Sequence, residues 1–140
     1  MSDRSRICDT IGRCFFAYDE GDAETMVDCF VEGAVIRIES DEVRTIEGHA
    51  AIAEFCQEIA ARSLGILRHP VTNTFIEKDG DEEAIVVSYH MTVLTRDGAP
   101  ELLQTGWCRD ELVLKEDRWK IVRRLHHCDS PIEGALSSLS

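Results

Sequence analysis

The sequence has no apolar run of about 18 residues, which excludes a membrane-spanning helix. Its opening, MSDRSRICDT, carries charges where a secretory leader would carry an apolar core, so the expected location is the cytoplasm. The six cysteines (Cys8, Cys14, Cys29, Cys56, Cys108, Cys128) include no CxxC pair. Most lie in apolar periodic segments and read as reduced core residues rather than disulfide partners. Basic residues are scarce: 15 Lys and Arg stand against 27 Asp and Glu, for a net charge of −12. That deficit excludes phosphate-neutralising nucleic-acid binding and disfavours an anionic membrane surface. Repeats, low-complexity stretches and linkers are missing too. The 140 residues are therefore expected to form a single domain, 1–140, with a loosely held polar tail over 129–140.

What is present is ordinary globular material, 44% hydrophobic and 30% charged, in a legible order. Ile7, Ile11, Cys14 and Tyr18 are spaced 4, 3, 4, which predicts a helix from about Arg4 to Glu20. Gly21 ends it, and Asp22 can cap a second helix carrying Met26, Cys29 and Phe30. AVIRIES (34–40) alternates as a strand, with DEVRTIEG (41–48) as a short partner. HAAIAEFCQEIAAR (49–62) is a third helix, with Ile52, Phe55, Cys56, Ile59 and Ala60 inward. Strand patterns follow at 68–77, 83–95, 102–115 and 118–128, joined by the short turns KDGD, RDGAP and KED. Short turns pair neighbouring strands antiparallel. The fold class is therefore α+β: a long antiparallel sheet with three helices to cover one face.

Strand parity selects inward polar groups. His69 shares a face with Val71, Asn73 and the aromatic Phe75, and so points into the core. Asp110 alternates with Cys108, Leu112 and Leu114, and also looks inward. A buried, unpaired carboxylate costs several kcal/mol, on the order of a lost ion pair, so it needs a partner such as Arg123 or Arg124, or a pocket. His90 shares a mixed face with Ala84, Val86, Ser88, Thr92 and Leu94, and lines a cavity or its mouth. On the last strand, parity leaves open whether the Arg123 face or the Arg124 face is inside. His126, His127, Cys128 and Asp129 have metal-ligand chemistry, but strand neighbours point opposite ways and no second ligand pair has zinc-site spacing. No metal is expected. On the first helix, Asp19 borders the apolar stripe about 100° from Tyr18, on the side of Phe15 and Cys8, while Glu20 turns away. An acid there can reach an inward strand histidine.

The stretches YDEGD, EGHAAIAEF, RHPVTN, DEEAIVVSYH, GWCRDELVL and DRWKIVRR resemble the SnoaL-like group. That group belongs to the superfamily of scytalone dehydratase, ketosteroid isomerase and nuclear transport factor two. The resemblance covers about residues 5–127. It implies a cone: a strongly bent antiparallel sheet wrapped around the helices, an α+β barrel with a deep pocket. It also implies homodimers or higher oligomers and lyase or isomerase chemistry without a cofactor. By resemblance to scytalone dehydratase, Tyr18 and Asp19 match a Tyr-Asp pair ending the first helix, and His69 matches the catalytic histidine. Bile-acid dehydratases keep the acid but place their tyrosine where this chain has Cys14. A second histidine of scytalone dehydratase falls near Arg96 and is missing. Glu39 is a loose counterpart of the isomerase base.

The sequence thus implies a lyase or isomerase acting on a small apolar carbonyl or hydroxy compound, cyclic or polycyclic. His69, Asp19 and Tyr18 are its catalytic candidates. Cys14, Phe15, Val71, Phe75, His90, Cys108, Asp110 and Arg124 are candidates for the pocket wall. The alternative is a non-catalytic ligand-binding or dimerisation module of the same fold.

Overall fold

A computed structural model of the chain describes residues 3–132. Helix α1 (Arg4–Glu20) buries Ile7, Ile11, Cys14, Phe15, Ala17 and Tyr18, the predicted stripe and its border. Each large apolar side chain removed from water contributes about 1.5–3 kcal/mol before entropy is counted. Gly21 stops the helix in the left-handed region, φ 69°, where a glycine carries no Cβ penalty. The Asp22 carboxylate accepts a bond from the Thr25 amide at 3.1 Å and starts α2 (Ala23–Asp28). Strands β1 (Phe30–Glu39) and β2 (Val43–Glu47) form a hairpin, and α3 (His49–Arg62) follows. β3 (Ile66–Arg68), β4 (Val71–Asp79), β5 (Glu83–Arg96), β6 (Ala99–Lys115) and β7 (Arg118–Cys128) complete the chain order.

One sheet of seven strands runs β2-β1-β7-β6-β5-β3, with β4 also on β5. The pairs β1–β2, β4–β5, β5–β6 and β6–β7 are antiparallel, as expected for strands joined by short turns. The β1–β7 seam is parallel, so the sheet is mixed rather than wholly antiparallel. The bent sheet does not close into a full barrel among the described residues: β2 ends one side, β3 and β4 the other. α1 lies against α2, α3, β3 and β7. It is pinned to β7 by Thr10, which donates to the Trp119 carbonyl at 3.0 Å, and by the Trp119 indole N–H, which donates to Asp3 at 2.9 Å.

Bulges decide which side chains face the helices. On β4 the register slips between Thr72 and Phe75, around Asn73 at φ 53°. Past the slip the parity reverses: Ile76 packs on the core, and Phe75 is 52% exposed. The expectation for Phe75 therefore fails, because an extra residue re-aims every side chain after it. On β7 the slip lies opposite Glu111 and Leu112. Trp119 and Ile121 are buried before it, Arg124 and Cys128 after it. Neither uniform face of β7 is the inner one; each is inner over half the strand.

The start of the tail is held. The Asp129 amide donates to the Thr105 carbonyl at 2.9 Å, Gln104 donates to the Ser130 carbonyl at 2.6 Å, and Ile132 is buried. The loose hold expected from residue 129 does not apply to 129–132; the rest, 133–140, lies outside the described residues. All six cysteines are free thiols, and all but Cys8 are buried. No described helix is long and apolar enough to cross a membrane.

Candidate active site

The end of α1 meets the link between β3 and β4. Pro70 separates those strands, and the residue before a proline is held extended. That residue is His69. Its Nδ1 lies 2.5 Å from Asp19 Oδ1, and its backbone amide donates to Asp19 Oδ2 at 2.9 Å. Both carboxylate oxygens are thus committed to one residue. Both side chains are buried, 5% and 6% exposed. Glu20 turns outward, as its helical position predicts, and pairs with Arg68 at 3.3 Å. With Asp19 accepting from Nδ1–H, the lone pair of Nε2 is free to act as a base.

His69 forms part of the wall of a cavity lined also by Phe15, Tyr18, Met26, Ile36, Ile38, Phe55, Thr92, Gln104, Arg124, His126 and Cys128. The cavity and its mouth together enclose about 470 Å³. Tyr18 stacks between His69 and Phe55, with ring centroids 5.1 and 5.5 Å away. It therefore flanks the imidazole instead of joining the Asp19–His69 hydrogen bond. Burial, reinforced by the Asp19 charge, pushes its phenol far above the usual range and keeps it protonated.

Asp110 is fully buried and gives Arg124 a two-point pair, Nε–Oδ1 at 2.7 Å and Nη2–Oδ2 at 3.3 Å. Of the two arginines open from sequence, Arg124 is the partner. Its guanidinium lies 4.4 Å from the centre of the Phe15 ring and also donates to Cys14 Sγ at 3.4 Å. Cys14 and Asp110 thus lie behind Arg124 and do not line the cavity. Val71 packs on the core away from it.

His90 and Cys108 also stand behind the wall. The His90 Nε2–H donates to the His127 carbonyl at 3.0 Å, while Nδ1 has no partner among the described residues. Burial lowers its pKa from 6.5 to about 4, so the ring is neutral. The ring lies over Gly106, where a Cβ would stand 2.6 Å from Nε2. It stacks on His126 at 3.9 Å between centroids, 21° between planes. Cys108 Sγ lies 3.2 Å from His126 Nδ1.

His90, Cys108 and His126 have potential ligand atoms all within 4.8 Å. The two rings are stacked, however, so their in-plane lone pairs run side by side and do not converge on one point. One His90 nitrogen is already spent on a carbonyl. The donor set fits packing better than a tetrahedral ion. Sequence reading missed this cluster because its members come from three strands, joined only by register (His90 opposite Gly106, Cys108 opposite His126). Met26, Ile36, Ile38, Phe55, Thr92, Gln104 and Cys128 on the wall were missed as well. They come from six different elements, and only the helical stripe marked Met26 and Phe55 as inward. Glu39 is away from the cavity, paired with Arg37 at 3.1 Å, which lowers its pKa.

Comparisons with known proteins concern the chain and its fold. A family model described as a SnoaL-like domain matches residues 1–125. No curated protein matches by sequence. Among solved structures, a protein of unknown function from Mycobacterium tuberculosis superposes with a TM-score of 0.84 at 20% identity, covering 98% of this chain and 83% of that one. A protein provisionally assigned as an aromatic ring hydroxylase, from Novosphingobium aromaticivorans, gives 0.83 at 25% identity over 99% and 96% of the two chains. An NTF2-like protein with a cystatin-like fold from the same organism gives 0.78 at 20% identity over 98% and 88%.

Proposed function

The chain belongs to the SnoaL-like domain family, and from that premise we propose that it is a lyase or isomerase working by His-Asp acid–base chemistry without a cofactor. The observation that carries this reading is the buried Asp19–His69 pair at 2.5 Å on the wall of a cavity that opens to solvent. Nε2 of His69 takes a proton from the carbon alpha to a carbonyl, and the C–H electron pair becomes the enolate. The Asp19 carboxylate holds the ring's tautomer and faces the imidazolium that forms. In a dehydration, collapse of the enolate expels a β-hydroxyl, which takes a proton from His69 and leaves as water. In an isomerisation, the same proton returns to a more distant carbon. The protonated Tyr18 phenol is a second donor at this wall.

The cavity bounds the substrate. Its mostly apolar wall, with His69, Thr92, Gln104, Arg124 and His126 as polar points, suits a small apolar carbonyl or hydroxy compound. The test is a panel of β-hydroxy ketones and β,γ-enones followed by the ultraviolet absorbance of the conjugated product. His69→Ala and Asp19→Asn should each lower turnover by about 10²-fold or more. Full turnover in both would make the pair structural and favour the non-catalytic binding module.

The reading includes a homodimer formed through the outer sheet face. Phe75 and Tyr89 are 52% and 56% exposed there. Tyr89 is opposite Trp107, which stacks on His127 at 5.1 Å, so an aromatic row crosses β5, β6 and β7.

A further inference from the structure

His126 lines the cavity with His69, and Phe15 packs against both rings, at 6.4 and 5.7 Å between centroids. The sequence marks it only within a run of metal-ligand residue types, and the family resemblance assigns it no role. Its neighbours fix its state. Cys108, on β6, has its thiol pushed well above the usual range by burial and stays S–H. A ring nitrogen is a far better acceptor than a thiol sulfur, so at 3.2 Å the pair takes the form S–H donating to Nδ1. The proton of a neutral His126 then sits on Nε2, which has no partner among the described residues. On the other side, the neutral His90 ring of β5 stacks on it. Burial, with His90, His69, Arg124 and His127 nearby, holds His126 well below its usual pKa. A positive charge on this ring would have no carboxylate beside it: Asp19 is bound by His69 and Asp110 by Arg124.

We infer that His126 is the oxygen-binding residue of the site, a neutral imidazole whose Nε2–H donates to the carbonyl oxygen of the substrate and to the enolate that follows. This rests on the proposed acid–base reading, in which His69 takes the proton and a second group must hold the oxygen. The two histidines divide the work by their partners. A carboxylate on Nδ1 leaves His69 a base at Nε2; a thiol on Nδ1 leaves His126 a donor at Nε2. The ligand class is a compact carbonyl, enol or phenol whose oxygen reaches both rings.

The test uses the full chain and 4-fluorophenol, an enol mimic, as probe. Side-chain ¹H–¹⁵N spectra at pH 7 should show His126 neutral with its proton on Nε2, and saturating probe should shift that resonance. By ¹⁹F titration, His126→Phe should weaken probe binding about tenfold or more, the size of one buried hydrogen bond. Cys108→Ala leaves the ring in place but removes the thiol, and His126 should then show mixed tautomers. A charged His126, a proton on Nδ1, an Nε2–H indifferent to probe, or a His126→Phe affinity within about twofold of wild type overturns the assignment. If the tautomer and the probe contact hold while no carbonyl compound is turned over, the proposed reaction fails and the oxygen-binding role stands. If His69→Ala abolishes turnover and His126 carries the proton elsewhere, only the role of His126 fails.

Discussion

Single residues here matter through what they leave behind when removed. Arg124 and Asp110 sit at 4% and 0% exposure, and each is the other's charge compensation. Asp110→Asn leaves a buried guanidinium unpaired and should cost about 3–5 kcal/mol. Asp110→Leu with Arg124→Met removes both charges and should recover most of that loss, as a double-mutant cycle in urea would measure. Gly106 works by lacking a side chain. A Cβ there would meet the His127 carbonyl as well as the His90 ring, so Gly106→Ala must displace backbone and should cost about 1–3 kcal/mol. His90 gives the molecule an acid limit. Its folded pKa of about 4 lies below the ordinary 6.5, so the unfolded chain binds the proton more readily. That contribution is complete above pH 6.5, drains as pH falls towards about 4, and amounts to about 3 kcal/mol. His90→Gln should remove most of that loss of urea stability between pH 7 and pH 4.5. His126, also depressed, leaves a residual slope of the same sign.

At the scale of elements, regular segments were legible and irregular ones were not. α1 and α3 match their predicted ranges because an apolar stripe of helical period needs no knowledge of the partner. The Asp19–His69 meeting could be anticipated too: one residue borders that stripe, and the other precedes a proline at a strand start. Strand faces were readable along β5, where Ala84, Val86, Ser88, His90, Thr92 and Leu94 are all buried. They failed past the bulge on β4 and stayed undecided on β7, because a bulge carries no compositional mark there and inverts every later side chain. The cavity wall suffered most, since it is assembled across strands whose register no single segment encodes. The parallel seam was invisible for the same reason: β1 and β7 are far apart in sequence, and no turn joins them.

For the whole molecule, the charge of −12 and the aromatic outer face pull in opposite directions. Self-association through Phe75 and Tyr89 should strengthen with salt, as screening weakens repulsion between like-charged copies. Tyr89→Arg combined with Phe75→Glu should halve the mass seen by light scattering while leaving Asp19 and His69 on the other face undisturbed. A wild-type mass of one chain at all concentrations would remove the dimer from the reading.

The last of the described strands, β7, lies in the middle of the sheet, between β1 and β6. A ribosome must therefore release the chain through Cys128 before the two halves can be joined. Until then β1 and β6 each present an unsatisfied backbone edge, a template for wrong pairing. Premature stops shortly before Arg118 should accordingly yield aggregates rather than shortened but folded proteins. The dominance of such distant contacts also places refolding in the slow, millisecond-to-second regime of about that order for sheet-rich chains.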